Sequence, residues 1–404
     1  MRIQSLLLCV ALTATHCASP NLKVKESDTL QTSNGVPFVA KPFYPDFNWE
    51  RVPVYMMFTH SDRLLNDEEL NKISSESDFI CIEKNHGLTT LGDAVLGLKH
   101  EANAFKGIKP EITVLGYFNA ARAFPFTRYT ESFRDENLDQ NPEMNEFLVK
   151  DPETGKPHKF MTQYCLDVLN PDMRKWWSDS AADMVFTGDA DGIFIDQMHG
   201  FAWLHPEEKR GDVRDGVIDM MRQLKQKIGP DKILLANNGA HIPEIFEISD
   251  AFMFEHYDLK VTHTKEALLN DWELMEKIAD AGKICIYRFS TEPEPNSHLA
   301  KYKGGKGRII DKRDEFAELS KKQLEFYLAL YLIGAQPYAY FQWNWAWNIN
   351  TGPLEHYPEL HKPLGKPLAK FTRLYPDKWE FTRHFEHARV WVDTEKRTAK
   401  IDWK

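Results

Sequence analysis

The amino-acid sequence predicts an α/β protein, a (β/α)₈ TIM barrel with a short C-terminal β-hairpin. Eight short apolar runs alternate with segments of helical periodicity between residues 52 and 341. The runs are nearly free of charge and end in polar residues, as is typical of parallel strands buried on both faces. Nothing between the runs suggests a hairpin, so we expect each strand to reach the next through a helix, as in a barrel.

The predicted elements follow one another in a regular order. The strands cover residues 52–58, 79–82, 112–118, 192–195, 232–236, 251–254, 284–287 and 338–341. The helices cover residues 66–76, 92–105, 170–186, 214–228, 265–281 and 313–333, with one more short helix before the sixth strand. Asn170 can cap the third helix, and Pro171 fits its first position. A doubly wound sheet is the structural alternative, but no glycine-rich phosphate loop follows the first strand.

The two ends of the chain differ in composition from the barrel. Residues 1–18 combine a basic start, a short apolar run and small residues, which predicts an export signal. The run is too short to span a membrane. Cys17 is a candidate for lipid attachment, although His16 before it is unlike the usual motif. Residues 19–45 predict a flexible tether, residues 46–385 the barrel and residues 386–404 the hairpin. We therefore expect an exported protein, in the periplasm, at the cell surface or secreted.

Charge and cysteine content narrow the class of protein. The formal net charge of -10 at pH 7 argues against nucleic acid and anionic membranes as partners. Three cysteines follow the signal, Cys81, Cys165 and Cys285, at wide spacings and without a CxxC pair. This pattern predicts buried free thiols and no zinc site, and we expect neither a metal nor a cofactor.

Polar side chains follow most of the predicted strands. In a barrel the carboxyl ends of the strands converge on one mouth, where barrel enzymes place their chemistry. The side chains expected at this mouth are His60, Asp62, Glu83, Asn85, Asn119, Asp196, Gln197, Asn237, Asn238, Glu255, His256, Tyr257, Arg288, Gln342 and Trp343. Glycoside hydrolysis needs two carboxyl groups, one ionised and one carrying a proton, and amides that bind hydroxyls. The sequence therefore predicts a glycosidase acting on a carbohydrate, and we expect a monomer.

Asp196 after the fourth strand and Glu255 after the sixth are the predicted catalytic pair. Asp196 would be the nucleophile, or the base of an inverting enzyme, and Glu255 the proton donor. Glu83 competes with Glu255 as the acid, but a structural ion pair with Lys84 or Arg288 is the preferred interpretation. Carboxyl groups roughly 5 Å apart would indicate retention of configuration, and about 6.5–9.5 Å would indicate inversion.

Further side chains are candidates for substrate binding. Trp343, Trp345 and Trp347 alternate, and period two would place them on one side of an extended segment. This pattern fits core packing and a sugar-stacking wall equally. The substrate-binding candidates are His60, Asp62, Glu83, Asn85, Asn119, Asn237, Asn238, Tyr257, Arg288, Gln342, Trp343 and Trp345.

A basic loop follows the seventh strand. Lys301, Lys303, Lys306 and Arg308 form a cationic patch in an otherwise acidic chain. A solvated loop is the default interpretation, and contact with a sulfated or uronic-acid glycan is a second hypothesis.

Two stretches carry a resemblance to a known family. Residues 167–174 read Asp-Val-Leu-Asn-Pro-Asp-Met-Arg, and residues 191–196 read Asp-Gly-Ile-Phe-Ile-Asp. They resemble the hypothetical barrel glycoside hydrolases of bacteria, which show an Asn-Pro-x-x-Arg helix start followed by an Asp-Gly strand ending in Asp. The layout is also similar to barrel α-galactosidases and α-1,4-polygalactosaminidases. The resemblance implies that Asp196 is the nucleophile, whereas Asp191 precedes the strand and belongs to the opposite end.

Two other classes of protein remain open at this point. A carbohydrate-binding barrel without turnover would use the same amides and aromatic residues. A metal-dependent barrel hydrolase would typically want paired histidines at the end of the first strand, where this chain has the lone His60.

Overall fold

The barrel predicted from the sequence is confirmed in a computed structural model, which describes residues 30–255, 262–303, 305 and 307–404. Its strands are β1 Tyr55–Phe58, β2 Phe79–Ile82, β3 Thr113–Asn119, β4 Gly192–Asp196, β5 Ile233–Asn237, β6 Ala251–Glu255, β7 Ile284–Ser290 and β8 Ala339–Asn344. All eight are parallel and pair in sequence order. The Phe341 N–H donates to the Pro53 carbonyl at 2.8 Å, so β8 pairs with the segment that leads into β1.

Seven main helices connect the strands on the outside of the barrel. They are α1 Asp67–Glu76, α2 Ala94–Ile108, α3 Pro171–Thr187, α4 Arg210–Ile228, α5 Pro243–Ile248, α6 Lys265–Asp280 and α7 Arg313–Gly334. Shorter helical turns cover Leu88–Leu91, Glu131–Phe133, Asp135–Leu138, Pro142–Asn145, Ala202–Leu204, Glu207–Lys209, Ala300–Lys303, Ile309–Lys312 and Pro358–His361. Among the described residues, no helix has the length and apolar character needed to cross a membrane.

The predicted start of α3 is correct in detail. The Asn170 side-chain oxygen accepts hydrogen bonds from the N–H groups of Asp172 and Met173, at 2.9 and 3.2 Å. Pro171 occupies the first turn, where its missing N–H has no helical partner in any case. This cap fixes where α3 begins, and α3 leads directly to β4.

Close packing explains the residue that opens β4. A Cβ atom at Gly192 would lie 2.2 Å from the Ile233 carbonyl oxygen, so only glycine lets β5 approach here. As predicted, Asp191 directly precedes β4, at the end opposite Asp196. Its carboxylate accepts from the Lys106 ammonium at 2.8 Å and from the Val114 N–H at 2.9 Å. Asp191 therefore fixes the amino end of β4, and Asp196 lies at the carboxyl end.

Free thiols occur where the sequence predicts them. Cys81, Cys165 and Cys285 are buried and unpaired. Cys81 lies on β2, Cys285 lies on β7, and Cys165 belongs to the insertion between β3 and α3. That insertion contains a three-stranded antiparallel sheet of Arg122–Ala123, Lys159–Phe160 and Gln163–Cys165.

The C-terminal hairpin is part of a larger sheet. Its predicted strands are β11 Ala388–Asp393 and β12 Thr398–Trp403, and β9 Thr372–Arg373 and β10 Glu380–His384 extend the sheet to four strands. The buried Arg383 guanidinium donates to the carbonyls of Leu332, Ile333 and Ala335 at the end of α7, at 3.2, 3.0 and 2.5 Å. The small sheet thus satisfies carbonyls that the helix end leaves open. The predicted signal, Cys17 and the start of the tether lie outside the described residues, and the domain limits stay predictions.

Candidate active site

Four donors surround the carboxylate of Asp196, the last residue of β4. Its Oδ2 accepts from the Tyr117 hydroxyl at 2.8 Å and from the Asn119 amide at 3.3 Å. Its Oδ1 accepts from the Asn237 amide at 2.9 Å and from the Gln197 N–H at 2.8 Å. Neighbouring strands β3 and β5 supply three of these donors, because Asn119 pairs in register with Asp196 and Asn237 ends the next strand. An ionised carboxylate only accepts hydrogen bonds, so this environment suits a charged Asp196.

One amide nitrogen joins the two predicted catalytic residues. Asn237 Nδ2 lies 2.9 Å from Asp196 Oδ1 and 2.7 Å from Glu255 Oε2. Because both oxygens bind the same nitrogen, they are at most about 5.6 Å apart. The Asn238 side chain accepts a hydrogen bond from the Glu255 N–H at 2.9 Å, and its φ of 51° turns the chain at the end of β5. The structure therefore brings Asp196, Asn237, Asn238 and Glu255 together.

The two acids open into a cleft of about 530 Å³ at the carboxyl ends of the strands. Its walls contain basic, aromatic and amide side chains together with the acid pair. The lining residues are Lys84, Arg122, Phe124, Asp196, Gln197, Met198, His199, Asn237, Asn238, His241, Ile242 and Glu255. The volume is that of a small-ligand site, and the acids lie on its wall.

Lys84 lines the cleft, although the sequence suggested it only as an ion-pair partner of Glu83. It follows β2 with a φ of 46° and contacts the Glu83 carboxylate. Its Nζ lies 4.7 Å from the centre of the Tyr117 ring. Burial lowers the pKa of Lys84, and the negative charges of Asp196 and Glu255 oppose that shift. Glu83 therefore has the ion pair that the sequence favoured for it, and Lys84 brings a positive charge to the acids.

His60, Asp62 and Asn85 are held by contacts within and between the loops that follow β1 and β2. The Asp62 N–H donates to His60 Nδ1 at 3.2 Å, and the Thr89 hydroxyl donates to the Asp62 carboxylate at 3.3 Å. The Thr59 hydroxyl donates to Asn85 Oδ1 at 3.1 Å. Burial lowers the pKa of His60. None of the three predicted residues lines the cleft around the acids.

The β8 side of the mouth is filled by packed side chains. Arg288 is buried, donates to Asn344 Oδ1 at 3.0 Å and lies 4.4 Å from the centre of the Trp347 ring. Gln342 is also buried. Neither residue lines the cleft with the acids. Tyr257, the remaining binding candidate, lies outside the described residues.

Trp343 and Trp345 are core residues, which corrects their prediction as a stacking surface. They are 6% and 1% exposed. Trp343 packs on Tyr327 with ring centres 5.0 Å apart, and Trp345 stacks on Phe316 at 6.5 Å. The alternating pattern fails because β8 ends at Asn344, so the segment beyond it is no longer extended.

An exposed aromatic residue lies instead on the side of β4. Trp203 is 51% exposed, and its ring centre is 4.6 Å from that of the cleft residue His199. His199 Nδ1 accepts from the Phe201 N–H at 3.0 Å, and burial lowers the pKa of this histidine, which favours the neutral ring. The sequence reasoning missed Trp203 because it lies in a short helical turn without a periodic pattern.

The basic loop is largely engaged within the protein. Lys303 contacts the Ser290 hydroxyl and donates to the Thr291 carbonyl at 3.1 Å, and burial lowers its pKa to about 8. Arg308 pairs with Asp311 at 2.7 Å. Lys306 lies outside the described residues. These contacts favour the interpretation of a structural loop over a glycan-binding patch.

One cluster in the described ranges has the composition of a cation site. Glu76, His356 and His361 lie close together at the end of α1, opposite the acid pair. Arg51, which can only donate, is 3.2 Å from His361 Nδ1, so the ring proton lies on Nε2, 2.9 Å from Glu76. A histidine and a carboxylate joined in this way already satisfy each other, and they lie away from the cleft.

The barrel and its acid-lined cleft place the protein among the TIM-barrel glycoside hydrolases. Residues 106–389 match the hypothetical glycosyl hydrolase family 15, and the chain belongs to this family. The predicted resemblance to hypothetical barrel glycosidases is thereby confirmed, and the protein is a glycosidase. The comparison with curated protein sequences found no match.

Several solved structures are similar to this chain at low sequence identity. The glycoside hydrolase domain of PelA from Pseudomonas aeruginosa is 15% identical, with a TM-score of 0.41 over 65% of this chain and 91% of that one. The α-galactosidase TtGalA from Thermus thermophilus is 15% identical, with a TM-score of 0.48 over 88% and 68%. Ega3 from Aspergillus fumigatus, in complex with galactosamine, is 13% identical, with a TM-score of 0.38 over 66% and 88%.

Proposed function

We propose that the protein is an exported glycoside hydrolase that cleaves an oligosaccharide or polysaccharide with retention of configuration. The supporting observation is the Asn237 amide, which lies 2.9 Å from Asp196 and 2.7 Å from Glu255. The nearest carboxylate oxygens are thus at most about 5.6 Å apart. Retaining enzymes hold their carboxyl groups roughly 5–5.5 Å apart, whereas inverting enzymes need about 6.5–9.5 Å to admit a water molecule.

The surroundings of the two acids support different roles for them. Each Asp196 oxygen accepts hydrogen bonds from two donors, so a proton on either oxygen would displace one of them, and Asp196 attacks the anomeric carbon as a carboxylate. Glu255 gives its proton to the departing glycosidic oxygen as that bond breaks. It then takes a proton from water, which attacks the glycosyl–Asp196 ester and releases the sugar. Lys84 supplies positive charge beside both acids.

Two alanine variants test these roles on a glycan that the wild type cleaves. With azide present, Asp196→Ala should give a glycosyl azide of inverted configuration, and Glu255→Ala one of retained configuration. Without azide, both should lose activity while folding normally. Asp215→Ala, an exposed acid on α4, is the matched control. An inverted product from the wild type, read by NMR, or normal activity in both variants would refute the proposal.

Export is a separate part of the proposal and rests on the sequence of residues 1–18. Expression of the full chain in a bacterial host, followed by fractionation and sequencing of the mature amino terminus, tests it. Cleavage just before Cys17 that is lost in Cys17→Ser would indicate lipid attachment. Recovery of the full, uncleaved chain inside the cell would contradict export.

A further inference from the structure

Arg122 lies at the start of the insertion and is tied to the acid pair. Its backbone N–H and that of Ala121 donate to Asn119 Oδ1, at 2.7 and 2.9 Å. The amide nitrogen of the same Asn119 donates to Asp196. Arg122 also lines the cleft that contains Asp196 and Glu255. Its position relative to the catalytic carboxylate is therefore fixed by one intervening side chain.

Aromatic rings hold the Arg122 guanidinium at the cleft wall. Its central carbon lies 4.6 Å from the centre of the Phe160 ring, and 5.8 and 5.9 Å from those of Phe124 and Phe201. Stacking of this kind orients a guanidinium and uses its faces, while leaving its in-plane donors available. The rings thus present the donors of Arg122 to the cleft.

No acceptor in the described part of the chain uses those donors. The Arg122 Nε is buried without a hydrogen-bond partner, and its guanidinium forms no ion pair with a described carboxylate. Arg128, in the same insertion, behaves differently, since it pairs with Asp93 at 2.5 Å. Buried polar groups without partners are uncommon in proteins, and one beside catalytic acids calls for a ligand acceptor.

The charge of Arg122 adds to that of Lys84 inside the cleft. Burial is the main cause that lowers the pKa of Lys84, and repulsion from Arg122 adds to it. Lys84 contacts the Glu83 carboxylate directly, whereas the Arg122 guanidinium forms no ion pair with a carboxylate among the described residues. Arg122 is thus the cationic side chain of the cleft that is available to a ligand.

We infer that Arg122 binds an anionic substituent of the glycan, so that the substrate is an acidic polysaccharide or oligosaccharide. This inference rests on the proposed hydrolase function and names its substrate class. A planar guanidinium matches a carboxylate or a sulfate ester with two parallel hydrogen bonds. A neutral sugar would give Arg122 only hydroxyl acceptors, and an amino sugar would be repelled. The carboxylate of a uronic acid and a sulfate ester share the required chemistry.

The experiment compares each acidic polymer with its neutralised counterpart. A uronic-acid polysaccharide is paired with its carboxyl-reduced form, and a sulfated polysaccharide with its desulfated form. For the wild type, kcat/KM should be roughly 10- to 100-fold higher on one acidic polymer than on its counterpart. Arg122→Gln should remove this preference, and Arg122→Lys should retain part of it. Lys156→Gln, the same charge change at an exposed site of the insertion, should keep the full preference.

The possible results separate this inference from the proposed function. Equal cleavage of acidic and neutralised polymers by the wild type would overturn it, as would an unchanged preference in Arg122→Gln. If Arg122 acted only on the acid pair, Arg122→Gln would lower kcat/KM by the same factor for the acidic polymer and for its neutralised counterpart. If the wild type cleaves none of the polymers, the proposed hydrolysis of these glycans is refuted. Calorimetry with acidic oligosaccharides then tests separately whether Arg122 binds an anionic substituent. Binding that Arg122→Gln removes and Lys156→Gln keeps would support the inference, and absence of binding would refute it.

Discussion

Removing the charge of Asp196 tests how closely the two proposed catalytic acids, Asp196 and Glu255, approach. The structure limits their nearest oxygens to at most about 5.6 Å. Two unit charges at that distance repel by ~3 kcal/mol at an effective dielectric constant near 20. Since 1.36 kcal/mol corresponds to one pH unit, removal of one charge should shift the ionisation of its neighbour by about 2 pH units. In Asp196→Ala, the acid function of Glu255 should therefore be lost at lower pH than in the wild type.

The assay is the pH dependence of hydrolysis by the wild type and of azide-rescued hydrolysis by Asp196→Ala. The alkaline limb of the rescued reaction should lie about 2 pH units below that of the wild type. The shift should persist at 0.1 M salt, because the Debye length there, about 10 Å, exceeds the separation of the charges. Glu255→Gln should remove the limb altogether, which assigns it to this residue. A shift below about 0.5 pH unit would refute the close carboxylate pair.

Three further variants test single features of the structure. Tyr117→Phe removes one donor to Asp196 and should lower kcat/KM about tenfold or more. The control is Tyr340→Phe, which should leave kcat/KM unchanged, because Tyr340 is buried in the barrel interior and does not line the cleft. Trp345→Ala should lower the free energy of unfolding by ~3–5 kcal/mol in denaturant titrations and leave KM unchanged, because the ring is core. Lys303→Met tests the lowered pKa of Lys303, which is about 8. The free energy of unfolding of the wild type, relative to that of Lys303→Met, should rise by ~1–2 kcal/mol between pH 8 and 10.

The sign of the Lys303 effect follows from its lowered pKa. Between pH 8 and the ordinary lysine pKa of 10.5, the unfolded chain binds a proton that the folded protein has lost. Stability therefore rises with pH in that window, and a stability difference that is flat or falls would contradict the buried state of Lys303. Loss of activity in Tyr340→Phe would contradict the specific role of Tyr117. A raised KM with intact stability in Trp345→Ala would restore the ring to the substrate site.

The barrel was predictable because its strands carry their own signal. A strand buried on both faces must be apolar along its whole length, and all eight such runs became strands. The strands β9 Thr372–Arg373 and β10 Glu380–His384 carry mixed polar and apolar residues and gave no such signal. The short strands of the insertion are two or three residues long, too short for any period to show.

The site was predictable to the extent that strand ends determine it. Asp196, Asn237 and Glu255 are the last residues of their strands, so counting strands was sufficient to bring them together. Lys84 and Arg122 were missed as cleft residues because their directions depend on a positive φ after β2 and on a turn fixed by a side chain. Sequence periodicity contains neither of these features.

Asn119 gives the active site a single point of adjustment. The nitrogen of its amide donates to Asp196, and the oxygen accepts from the first residues of the insertion. The insertion can therefore change in length or composition without disturbing the acids, as long as its first two N–H groups still reach this side chain. A protein engineer could exchange the loop to alter which glycan is accepted while the cleavage machinery stays in place. Conversely, replacing Asn119 would remove contacts to Asp196 and to the first residues of the insertion at the same time.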